Sequence, residues 1–131
     1  MEIIDSRFLL EYFLSDNQEM KSKVSKRLRS MVEKRTGIIP TIVVTEIVRY
    51  VSDKRAREEA TLRYLSLKRS GLTITDLTAE IAKEAGLLKS THPTIPTGDC
   101  IIASTALAKK AKILSDDPHY DEIKGVTRTW L

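Results

Sequence analysis

Cysteine is nearly missing from this 131-residue chain, and the single one, Cys100, excludes an internal disulfide and a thiolate set for structural zinc. A reducing cytoplasm is the compartment that follows. Long apolar runs are missing as well, and none approaches the roughly 20 residues a helix needs to cross a bilayer. The opening residues, Met1 to Asp5, have neither the basic region nor the long apolar core of a signal peptide. Glycine is scarce, with five in the chain, and none belongs to a Gly-rich phosphate loop or a Gly/Ser linker. No serine or cysteine stands in a nucleophile-elbow pattern. The two histidines, His92 and His119, each sit beside a proline in a predicted loop and read as structural or surface residues.

What is present is a globular balance: 41% hydrophobic and 31% charged residues. The chain is long enough to bury a core without disulfides, and with no repeat or low-complexity tract it predicts one domain over 1–131. Lysine and arginine number 22 against 18 acids, a net +4. This mild excess is compatible with a polyanionic partner without demanding one.

Periodicity divides the chain into short apolar strands and amphipathic helices. Glu2 to Ile4 reads as a buried strand, and Asp5-Ser6 as a helix start. Phe8, Leu9, Tyr12 and Phe13 follow on one helical face. A second helix runs from Gln18 to about Arg35, apolar through Met20, Val24, Leu28, Met31 and Val32 and ended by Gly37. Lys21, Lys23, Lys26, Arg27 and Arg29 make its other face basic, either a solvated face or a phosphate-contacting one.

Ile38 to Val48 is ambiguous. Its β-branched run favours a strand, whereas Pro40 and the cap-competent Thr41 allow a strand over Gly37–Pro40 followed by a helix. Further helices are expected over Lys54 to Ser70 (through Ala56, Ala60, Leu62, Tyr64 and Leu65) and Thr78 to Lys89, the latter with Ala79, Ala82, Ala85 and Leu88 inward. Another, capped by Thr97, should run to about Lys110. Strands are expected at Leu72 to Thr75, Lys112 to Ser115 and Val126 to Trp130. The alternation predicts an α/β protein with a mostly parallel sheet. Such sheets bind ligands outside the carboxyl ends of their strands. Asp5 directly follows the first strand, Asp116 and Asp117 follow a late one, and Asp99 opens a helix after a loop.

Each acid also has an ordinary explanation. Asp5 could cap a helix, Asp99 favours the helix dipole in a first turn, and Asp116-Asp117-Pro118 suits a turn. Glu46 is harder to explain that way. Val43, Val44, Ile47, Val48 and Val51 surround it, so its carboxylate needs a cation or donors. Arg49, three residues on, could supply the charge on a helix. Cys100 reads as core packing, and Tyr12, Tyr50 and Tyr64 as core or interface.

Taken in order, Ile3-Ile4-Asp5-Ser6, Thr45-Glu46, Gly98-Asp99-Cys100-Ile101-Ile102-Ala103-Ser104-Thr105-Ala106 and Ile113-Leu114-Ser115-Asp116-Asp117 resemble the PIN-domain family. In length and spacing they are most similar to the VapC-type toxins of toxin–antitoxin pairs. The resemblance implies a three-layer α/β/α sandwich around a mostly parallel sheet, with Glu46 on a helix beginning near Thr41. It implies an Mg²⁺- or Mn²⁺-dependent endoribonuclease, with Asp5, Glu46, Asp99 and Asp117 as the family's acidic positions and Ser115 as the accompanying hydroxyl. It also implies RNA as substrate, a VapB-like antitoxin as inhibitor and a homodimer. Asp117 is preferred to Asp116 by its place two after Ser115. Gly98 departs from the family, which more often has a small non-glycine residue there.

The chemistry suits these residues. Crowded carboxylates repel one another unless a cation joins them, and hard divalent ions take oxygen ligands. Two other nuclease-free readings stay open: a catalytically silent module of this fold that binds RNA or protein, and a phosphoacceptor domain using Asp5 at a strand end. A housekeeping RNA-processing nuclease is the alternative to a toxin.

Overall fold

The computed structural model describes residues 1–131. Five strands form one sheet in the order β3-β2-β1-β4-β5: Glu2–Ile4 (β1), Gly37–Pro40 (β2), Thr73–Thr75 (β3), Lys112–Leu114 (β4) and Arg128–Thr129 (β5). Every pairing is parallel. A parallel sheet must be covered on both faces, so its central strands carry continuous apolar runs. Ile3, Ile4, Ile38, Ile39, Ile113 and Leu114 are all buried accordingly. Six helices provide the cover: Ser6–Leu14 (α1), Gln18–Lys34 (α2), Thr41–Lys54 (α3), Arg57–Lys68 (α4), Ala79–Thr91 (α5) and Thr97–Lys109 (α6). The predicted α/β class with a parallel central sheet is therefore found, and the cluster of 25 buried apolar residues at its centre is continuous.

The ambiguous stretch resolves as a strand followed by a helix. Propensity favoured a strand through Val48, but the chain leaves the sheet at Pro40, and Thr41 to Lys54 are helical. Tertiary packing decides: Val43, Ile47 and Val51 fall four residues apart and are all buried.

Several local expectations are corrected. Gly37 does not end α2. Arg35 does so in the left-handed conformation (φ 55°), its N–H reaching the carbonyls of Met31 and Val32. Gly37 lies in β2, where an added Cβ would stand 2.7 Å from Leu72 Cδ2. Thr41 and Thr97 are first helical residues behind Pro40 and Pro96 rather than caps. The Thr41 hydroxyl instead accepts from the Leu77 N–H at 3.2 Å. One helix does not run from Lys54 to Ser70: the chain breaks at Arg55 and restarts as α4, which buries Ala60 and Leu67 and leaves Leu62 exposed. In α5 the inward side is Ile81, Ala85 and Leu88, while Ala79 and Ala82 face solvent.

Candidate active site

Strand β1 is the middle of the sheet, with β2 on one side and β4 on the other. The chain connections diverge there, and such a switch point opens a crevice at the carboxyl ends of the strands. Ile4 pairs with Leu114, so the residues that follow each strand emerge side by side. Asp5 follows β1, and Ser115, Asp116 and Asp117 follow β4.

The two loops are tied together. Asp5 is 2% exposed and accepts from the Ser6 N–H at 2.9 Å through Oδ1 and from the Ser115 hydroxyl at 2.5 Å through Oδ2. The capping role expected of a strand-end Asp is thus real, and it occupies only one of the two oxygens. Ser115 Oγ in turn accepts from the Asp117 N–H at 3.0 Å. A single buried hydroxyl therefore fixes both acids relative to the sheet.

Asp116 and Asp117 part ways. Asp116 is ion-paired with Arg7 at the rim, both side chains being substantially exposed. Asp117 turns toward Asp99 in the first turn of α6, and each of these two side chains is 15% exposed. Glu46 comes from α3, and its carboxylate lies against the start of α6: a Cβ on Gly98 would stand 3.2 Å from Glu46 Oε2. Arg49 does not partner it, reaching Asp53 instead at 3.5 Å. Glu46 Oε1 is buried without a hydrogen-bond partner, and the Ser6 hydroxyl is the only donor whose effect reaches this carboxylate.

The electrostatics follow from this crowding. Burial, then the charge of Asp5, push Glu46 up to about 7, with Asp99 adding to the rise and the nearby Ser6 hydroxyl opposing it. Burial, then Asp5 and Asp117, push Asp99 up to about 6. Asp5 is also raised, burial outweighing the hydrogen bonds from Ser115 and Ser6 that oppose it. Glu46 senses Asp5 and Asp99, Asp99 senses Asp5 and Asp117, and Asp5 senses Asp117, which links the four acids in one crevice. Arg7 is the nearby cation, and its guanidinium is held charged chiefly by Asp116.

A divalent cation fits this donor set on three counts. The donors are hard oxygens, Glu46 Oε1 is a buried acceptor without a partner, and Gly98 leaves the space into which Glu46 extends.

Two residues at the site were not singled out from the sequence. His119, read as a structural or surface residue, places Nδ1 3.1 Å from Asp117 Oδ1 and 3.7 Å from Asp99 Oδ2. Asp117 caps the short 3₁₀ helix Pro118–Glu122 by accepting from the His119 N–H at 2.9 Å, and this turns the ring back over the acids. The signal was the Asp-Pro-His spacing of 117–119. Arg7 carried no signal, since its partner is 109 residues away. His92 remains apart, its Nδ1 at 3.0 Å from the Leu88 carbonyl. Cys100 is buried, as core packing requires, and burial raises its thiol.

A parallel α/β sandwich with a carboxylate-lined crevice at its switch point defines the class of protein. The family model described as PIN domain matches residues 3–126, and the chain belongs to the PIN domain family. Among solved structures it is similar to VapBC2 from Rickettsia felis bound to a promoter DNA fragment, at TM-score 0.81 and 19% identity, covering 99% of this chain and 98% of that one. DNA-bound VapBC from Salmonella typhimurium aligns at TM-score 0.78 and 14% identity, over 98% and 96%. Mycobacterium tuberculosis VapC20, described as a Sarcin-Ricin loop cleaving toxin, aligns at 0.71 and 11%, over 90% and 91%. No curated protein matches the chain. No helix is long and apolar enough to cross a membrane.

Proposed function

We propose that the chain is a metal-dependent endoribonuclease, the toxin of a VapBC-type toxin–antitoxin pair, formed by one domain over 1–131. The observation that carries this reading is the buried, unpartnered Glu46 Oε1 beside three further carboxylates. A purely structural cluster of this kind would cost several kcal/mol, and a divalent ion removes that penalty.

Asp5, Glu46, Asp99 and Asp117 would hold Mg²⁺ or Mn²⁺. When bound, such an ion polarises a phosphodiester and makes a water more acidic. The chain's own residues prepare the site for it. Ser115 holds Asp5 and the Asp117 backbone in one arrangement. Gly98 admits the Glu46 carboxylate. Arg7 sets a cation at the rim, where a polyanionic strand would approach. Cleavage would leave a 5′ phosphate.

A VapB-like antitoxin as inhibitor is supported by the neighbours, several of which are toxin–antitoxin complexes. A homodimer and a cytoplasmic location accompany this reading through the resemblance.

The test incubates purified protein with total RNA in Mn²⁺, Mg²⁺ or EDTA, beside Asp99→Asn. Metal-dependent cleavage missing from the variant is expected. Intact RNA together with no Mn²⁺ binding by calorimetry would defeat the proposal.

A further inference from the structure

The four acids leave His119 unexplained. An exposed histidine after a proline has no structural need to face two carboxylates, yet this ring does, with its side chain 46% exposed and Nδ1 turned inward. Ligand atoms from Asp99, Asp117 and His119 all lie within 4.8 Å of one another. A six-coordinate ion with bonds of about 2.1 Å sets adjacent ligand atoms roughly 3 Å apart and opposite ones roughly 4.2 Å apart. The observed separations from Nδ1, 3.1 and 3.7 Å, fall in that interval. The ring needs no rearrangement of the fold to become a ligand.

A second observation points the same way. Tyr120, the next residue, is completely buried, and its hydroxyl has no hydrogen-bond partner. All four acids act on this phenol electrostatically. The 3₁₀ helix therefore sets an imidazole nitrogen against two of the acids and, in the next residue, buries a phenol hydroxyl that has no protein partner.

We propose that His119 is a nitrogen ligand of the ion held by Asp99 and Asp117, making this centre a mixed oxygen–nitrogen site that favours Mn²⁺ over Mg²⁺. The inference rests on the metal-site reading above and adds the identity of a ligand and the direction of ion choice. Carboxylate and water oxygens serve Mn²⁺ and Mg²⁺ alike, and imidazole suits iron, nickel, copper and zinc best. Of the first two, Mn²⁺, the first member of that series, accepts a nitrogen more readily than the hard, rigidly octahedral Mg²⁺. Within the transition series, affinity should then climb from Mn²⁺ to Co²⁺ and Ni²⁺.

The nitrogen is directly observable. Mn²⁺-loaded protein is measured by electron spin-echo envelope modulation, with His92→Gln, His119→Gln and Asp99→Asn beside the wild type. The chain has two histidines, so the assignment is closed. Imidazole-nitrogen modulation in the wild type and His92→Gln, lost in His119→Gln, is expected. Calorimetry should show Mn²⁺ affinity falling roughly tenfold or more in His119→Gln, a scale that even groups outside the ligand set reach, with Mg²⁺ affinity little changed. Bound Mn²⁺ without nitrogen modulation, or modulation that survives His119→Gln, overturns the nitrogen ligand and leaves the carboxylate site standing. Failure of the wild type to bind Mn²⁺ removes both. Should His119→Gln not fold, the wild-type and His92→Gln spectra decide the matter.

Discussion

The hydroxyl of Ser115 lies 2.5 Å from Asp5 Oδ2, joining residues 110 positions apart across the crevice between β1 and β4. Both groups are buried, so neither can turn to water for a replacement partner. Ser115→Ala should therefore destabilise the protein by about 1–3 kcal/mol, the cost of leaving a buried acceptor unmet. It should also free the Asp117 backbone N–H and weaken Mn²⁺ binding. Urea denaturation and calorimetry on the same preparation check the two effects; an unchanged midpoint would mean that the bond contributes nothing.

The raised acids give stability a definite pH dependence. Glu46 moves from 4.5 to about 7 and Asp99 from 3.8 to about 6, burial being the first cause of each. Below the unfolded values both states hold these protons and stability is intact. As pH rises, the unfolded chain releases them first, so the metal-free fold loses stability until the folded values are passed. The decline should run from about pH 4 to about pH 7. Asp121, lowered by Arg128, acts oppositely: its contribution is present above its unfolded value and lost in acid. Comparing wild type with Glu46→Gln isolates the first effect, and the variant should show a flatter decline in urea midpoint. Parallel curves would show that Glu46 does not titrate in this range.

Cations should reverse the same penalty. Protons compete for the carboxylates, so added Mn²⁺ should raise the melting temperature more near pH 7.5 than near pH 5. A shift that is equal at both pH values would place the ion away from these acids.

The fold was largely legible because its signals are local. The apolar runs of β1 and β4 and the four-residue spacing of Val43, Ile47 and Val51 are both written in the chain. The split at Arg55 and the ending of α2 at Arg35 were not, because Gly37 offered a stronger stop signal than a left-handed arginine. Gly37 is set by a contact with Leu72, which sequence spacing cannot show. At the site, the acids could be picked out because each sits at a strand end or helix start. His119 left only the weak Asp-Pro-His spacing and Arg7 no signal, since their partners belong to other elements or to a turn whose direction depends on the Asp117 cap. Arg49, the partner that spacing offered to Glu46, belongs to Asp53.

Gly98 separates site geometry from stability. Its backbone is helical, so alanine there should add roughly 0.5–1 kcal/mol of helix stability. The new Cβ, however, would stand 3.2 Å from Glu46 Oε2, tight enough to displace the carboxylate. Gly98→Ala should keep or raise the melting temperature while lowering Mn²⁺ affinity and RNA cleavage. Unchanged affinity would show that Glu46 has room to give way without leaving the ion.

Adjacent acids provide the sharpest comparison. Asp116 pairs with Arg7 at the rim, their side chains 39% and 52% exposed, whereas Asp117 faces Asp99 and His119. An exposed pair contributes about 0–1 kcal/mol, so Asp116→Asn should change cleavage by no more than about fivefold. Asp117→Asn keeps a side chain able to cap the 3₁₀ helix, so the fold should survive it. The variant loses one of the charges that would hold the ion, and both Mn²⁺ binding and cleavage should collapse. Circular dichroism, calorimetry and an RNA cleavage assay on the two variants side by side give the answer. The reverse ranking would make Asp116 the fourth acid and would require Arg7 to swing away when the ion binds.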